Sequence, residues 1–96
     1  MEELARKYVL AVESGDYEQG MQLATGAAVS WVEYMKAGGT YREGPVEVIS
    51  CESTEFSGYW LVKVVFQDKD KNFGVRYVRV ARSDESGFVV IDDGRR

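Results

Sequence analysis

Few residues in this chain have the type and spacing to do chemistry. Asp68, Asp70 and Asn72 alternate as oxygen ligands do in a calcium loop. That loop needs glycine at its sixth position and a bidentate glutamate at its twelfth. Phe73 and Arg79 stand there, and apolar strand-like runs flank the segment. A polar hairpin turn is the better reading, since Asp and Asn side chains bond their own backbone in turns. Asp92 and Asp93 are adjacent, but neighbours on a strand point to opposite faces. They are expected to be solvated, not to share a proton or a metal. There is no histidine and one cysteine, Cys51. A thiol nucleophile needs a base, so Cys51 reads as a buried, inert side chain with no internal disulfide to make. No catalytic residue, metal ligand or cofactor motif emerges.

Two groups remain open to more than one reading. Arg76, Arg79 and Arg82 crowd one strand-like run. In a regular strand Arg76 would share a face with Val78 and Val80, which is awkward for a core. A bulge near Tyr77–Val78 would resolve this and turn the arginines largely to solvent. An anion or partner surface is the other reading. Trp31, Tyr34, Trp60 and Tyr77 fill a core with their polar tips reaching water, or they line a ligand cavity between helix and sheet.

The elements that must carry these residues are clear in order. Leu4, Ala5, Tyr8, Val9 and Val12 recur at helical spacing over residues 2–14. Ser14-Gly15 is a helix stop. Asp16 followed by Gln19 resembles a capping box and starts a second helical stretch that runs to Gly38-Gly39. Gly20 and Gly26 weaken it, and a break is expected near Thr25-Gly26 with Thr25 as a second N-cap. After Pro45 the pattern turns to strands: 46–53, with a bulge between Val48 and Ile49, then 59–67, 73–82 and 88–91. Short turns at Ser57-Gly58, 68–72 and 83–87 predict an antiparallel meander. The fold class is therefore α+β, with N-terminal helices (2–38) on a curved four-stranded antiparallel meander sheet (45–92). Residues 92–96 read as a frayed charged tail.

Composition narrows the function classes. At 96 residues one domain is expected. Sixteen acids against twelve bases leave a net charge of −4, which argues against general nucleic-acid binding. The strand half is mildly basic and the helix half acidic, read first as solvated surface. No apolar run nears the ~20 residues that span a bilayer, and no signal peptide is visible. The compartment stays open between cytoplasm and an extracytoplasmic domain lacking its leader.

The segment ARKYVLAVESGDYEQGMQLATGAAVSWVEYM resembles small bacterial members of the nuclear transport factor 2-like (cystatin-like) superfamily. The likeness lies in a helix ending at Gly15-Asp16-Tyr17, a second helical stretch carrying Trp31, and a following antiparallel sheet. It implies a curved sheet wrapped around helices as a cone. Enzymes of that superfamily, such as ketosteroid isomerases, use a carboxylate base and a hydroxyl or acid donor inside the cone, or a His–Asp dyad. This chain has no His, so the dyad is absent, and Tyr8 on the first helix either offers a hydroxyl donor or packs. No acid clearly sits in an apolar pocket; Asp84 and Asp92 lie at strand ends. Short members resemble non-catalytic modules of bacterial extracytoplasmic and conjugation-type secretion proteins. The resemblance thus implies a non-enzymatic binding or assembly module, with a protein partner or self-association through the sheet. A small-molecule pocket protein or an isomerase- or dehydratase-like enzyme is the alternative.

Overall fold

The computed structural model describes residues 1–39, 41–42, 44–83 and 87–94. The turn expected at 83–87 falls largely on residues 84–86, and the end of the expected tail on 95–96, outside the described residues; so does Asp84. Among the described residues three helices precede four strands: α1 Glu2–Glu13, α2 Tyr17–Gln22, α3 Ala27–Gly38, β1 Glu47–Phe56, β2 Tyr59–Gln67, β3 Phe73–Ser83 and β4 Gly87–Gly94. The strands form one open antiparallel sheet in the order β1-β2-β3-β4, and the helices pack on it.

Local chemistry explains the helix ends. Glu2 and Glu3 occupy the first turn of α1, where the helix dipole favours acids. Gly15 follows its C-cap at φ 89°, a left-handed conformation that lets the chain reverse. Asp16 caps α2 by accepting a bond from the Gln19 amide. The break before α3 has a different cause from the one expected. Gly26, not Thr25, is the N-cap. Thr25 is instead tied to the sheet: its N–H donates to the Val90 carbonyl at 2.8 Å, and the Val90 N–H donates to the Leu23 carbonyl at 3.0 Å, around a parallel bridge between Ala24 and Val90. The α2–α3 connection thus stitches the outer edge of β4.

One apolar face of α1 (Ala5, Tyr8, Val9, Val12) and Ala28 and Val32 of α3 pack on Val62, Val64 and Phe66 of β2, Val78 and Val80 of β3 and Val90 of β4. Burying each of these valines contributes ~1.5–3 kcal/mol. Gly74, opposite Phe66 in the ladder, is required by close approach. A Cβ there would collide with the Phe66 ring and lie 2.9 Å from Arg42 Nη2.

Two bulges set which side chains enter the core. The first, at Ile49, matches expectation: Val48 pairs with Phe66 and Ser50 with Val65. The second corrects the sequence reading. The β2–β3 register is unbroken, so the bulge expected near Tyr77–Val78 is not there. The irregularity lies on the other side of β3, between Arg79 and Val80, where Arg79 pairs with Asp92 but Val80 with Val90. Ile91 is the extra residue. It shifts the alternation so that Val90 and Asp93 both face inward. Asp93 therefore belongs to the sheet interior and not to a frayed tail.

Candidate functional site

The unbroken β3 alternation sends Arg76 inward beside Val78 and Val80. It is 5 % exposed, against the expectation that the arginines face solvent. Burying a guanidinium requires partners, and three elements bring them. Glu13 ends α1 one turn after Val9, on the same buried stripe. Asp93 arrives through the β4 bulge. Tyr8, from the middle of α1, donates its hydroxyl to Asp93 Oδ2 at 2.8 Å. Arg76 donates through Nη1 to the same Asp93 oxygen at 2.7 Å and through Nη2 to Glu13 Oε2. Arg42, on the connector after α3, then donates through Nε to Glu13 Oε1 and through Nη1 to Asp68 Oδ2, both at 2.9 Å. Its guanidinium lies 4.9 Å above the centre of the Phe66 ring.

The ionisable groups feel opposing forces. Burial pushes the Asp93 carboxyl up, and Arg76 and the Tyr8 hydroxyl only partly offset it. Burial works against the Arg76 cation too, but Asp93 and Glu13 together outweigh it and hold the proton on. The Tyr8 hydroxyl is pushed far up by its own burial and by the neighbouring Asp93. Asp68 moves the other way: the backbone N–H of Asn72, with help from Arg42, holds it below the usual carboxylate range. Two buried atoms of the network, Arg76 Nε and Asp93 Oδ1, have no partner among the described residues. Each is an unmet hydrogen bond, which is costly in a core.

Above this network lies a cleft of about 820 Å³. Its floor is Glu13, Arg42 and Arg76, and its walls include Val12, Trp31, Tyr34, Met35 and Tyr41. Trp31 and Tyr34 stand three residues apart on α3 and stack at 5.6 Å between ring centres, 19° from parallel. Tyr34 is 72 % exposed, so this ring pair offers a large apolar surface to solvent.

The four aromatic residues singled out in the sequence do not share one cavity. Trp31 and Tyr34 wall the cleft. Trp60 lies at the opposite end of the inner sheet face, edge-on to Phe88 at 5.6 Å, where it borders a smaller pocket of about 370 Å³. Tyr77 pairs with Lys63 and points from the other sheet face, because the strand alternates. The smaller pocket is ringed by Phe56, Tyr59 and Arg82, with Arg82 stacked on Trp60 and Phe88.

Sequence reasoning did not bring Glu13, Arg42, Arg76 and Asp93 together. A signal existed for two of them: Arg76 has the parity of Val78 and Val80, and Glu13 sits four residues after Val9. Asp93 had none, since its inward turn depends on the bulge. Asp68–Asn72 is a turn as read: Asp68 Oδ1 accepts from the Asp70 and Asn72 amides at 2.9 and 3.0 Å. Cys51 is half-buried, its thiol pushed up by burial. Among the described residues no cluster of three His, Cys, Asp or Glu could hold a metal ion, and no helix is long and apolar enough to cross a membrane. No family model, curated protein or solved structure matches this chain.

Proposed function

We propose that this protein is a non-enzymatic binding module of the nuclear transport factor 2-like kind, and that its cleft takes a small, flat, largely apolar ligand carrying a hydrogen-bond acceptor. The observation that carries this reading is the stacked Trp31–Tyr34 wall of a cleft that Arg42 and Arg76 also line. Apolar walls with one or two placed polar groups are how pockets hold such molecules. The floor argues for binding over reaction. Both Glu13 oxygens already carry a guanidinium, and Asp93 is not part of the cleft lining.

Anilinonaphthalene sulfonate, a flat apolar dye with anionic acceptors, tests the site. Saturable one-site binding is expected, weakened at least tenfold by Trp31→Ala and by Tyr34→Ala with unchanged circular dichroism. Equal binding by both variants would refute the reading.

A specific feature favours a second reading, an isomerase- or dehydratase-like activity. Asp93 is a carboxyl raised by burial beside a tyrosine hydroxyl, the pairing that such chemistry uses. Deuterium exchange at the α-carbon of a small ketone, abolished by Asp93→Asn, would establish it. Self-association through the outer sheet face is the assembly form of the first reading, supported by half-buried Leu61, Val65 and Tyr77 and exposed Val75. Light scattering over a range of concentrations decides it; a monomer throughout removes it.

A further inference from the structure

The two edges of the sheet are finished differently. On β4, Leu23 and Thr25 occupy the backbone groups of Val90. On β1, among the described residues, no backbone bond arrives from any element but β2. An edge strand turns alternate N–H and C=O groups outward, a template for a further strand. From Ser50 to Phe56 the β1 register is unbroken, so the template runs for seven residues without a bulge.

The charge along this edge is of one sign. Glu47, Glu52 and Glu55 are exposed, and β1 carries no base. None of the three is in an ion pair among the described residues. Glu52 stands opposite Lys63 in the ladder, whereas Glu47 and Glu55 face Gln67 and Trp60. Glu2 adds a fourth acid, accepting the Ser53 hydroxyl at 2.6 Å. Edges are commonly blunted by lysine, which repels every neighbour of its own kind. Here acids do the same and so select by charge. A second copy of β1 would set glutamate against glutamate, while a basic strand would be drawn in.

We propose that the free edge of β1 is a docking site for an extended, basic segment of a partner protein, which adds to the sheet as a fifth strand. Main-chain bonds along Ser50–Phe56 would supply affinity, and Glu47, Glu52 and Glu55 would supply selectivity. This surface is separate from the cleft and does not depend on it.

The probe is a labelled nine-residue peptide alternating lysine and threonine, followed by fluorescence anisotropy and amide hydrogen exchange. Saturable binding is expected, with new protection of amides between Ser50 and Phe56. A peptide of the same sequence with every backbone nitrogen methylated cannot donate the ladder bonds and should bind at least tenfold more weakly. A glutamate-for-lysine peptide should not bind. The Glu47→Lys, Glu55→Lys double variant, changed only at exposed positions, should lose at least tenfold in affinity with an unchanged thermal midpoint. Equal binding of the methylated peptide would reduce the site to diffuse charge attraction and overturn the proposal. Protection on β4 or in the cleft, no binding at all, or β1 protection that grows with protein concentration without peptide would each overturn it too. The last outcome would assign the edge to a second copy of the chain.

Discussion

Arg76 and Arg82 lie on the same strand and the same sheet face, six residues apart, yet they live in opposite surroundings. Arg76 is buried among Glu13, Asp93 and Met35. Arg82 is exposed and rests on the faces of Trp60 and Phe88, 5.6 Å from each ring centre. The strand does not make this difference; what covers it does. The last turn of α1 and the β4 bulge deliver carboxylates to one end of the face, while aromatic rings carry the arginine at the other. A cation on an exposed ring gains ~0.5–1 kcal/mol. A buried ion pair costs heavily to assemble and costs again when one partner is removed.

The largest test of that contrast is truncation at both ends. Arg76→Met takes the guanidinium from buried Asp93 and leaves Glu13 with Arg42 alone, and is expected to cost about 3–5 kcal/mol in urea unfolding. Arg82→Met should cost no more than about 1 kcal/mol. Equal losses would break the comparison. Next in size is Gly74→Ala, whose methyl would displace Phe66 and the Arg42 guanidinium above it; about 1–3 kcal/mol is expected. Gly94→Ala, with open space around the added carbon, should be milder.

Titration separates the interior of the network from its rim. Asp93 is raised above the ordinary 3.8 by burial, so the stability it contributes is complete below that pH and is lost as pH rises through its higher folded value. Asp68 is lowered below 3.8 by the Asn72 amide, so its contribution is present above that pH and is lost as pH falls through its lower folded value. Carbon-13 carboxyl resonances should show Asp93 titrating above and Asp68 below the ordinary range. The reverse order would show that ion pairing outweighs burial at Asp93. The smallest effect on folding belongs to the cleft wall. Trp31→Ala, at a site already 38 % exposed, should shift stability by about 1 kcal/mol or less while weakening dye binding at least tenfold.

The order of elements was legible because its signals are local. Gly15 and Asp16 end one helix and begin the next through their own backbone and side-chain chemistry, and Ile49 marks its bulge by a change of apolar parity. The candidate site was legible only in part. Trp31 and Tyr34 carry their stacking in their three-residue spacing. Trp60 and Tyr77 looked equivalent to them as rings, but strand alternation and distance along the sheet separate all of these. Thr25 read as a cap because a lone Thr before a helix is one. Its bond to Val90 involves a residue 65 positions away that no local pattern reveals.

From residue order alone follow the helices, the strands and the meander, since propensity, capping and periodicity act over a few neighbours. Arg76 turned in because β3 pairs with β2 without a bulge, and Asp93 instead of Asp92 entered the core only when β4 slipped by one residue at Ile91 against β3. A one-residue slip exchanges the two faces of everything beyond it. The charged floor of the cleft is the product of that pairing, because a buried guanidinium is tolerable only where separate parts of the chain bring it carboxylates at once.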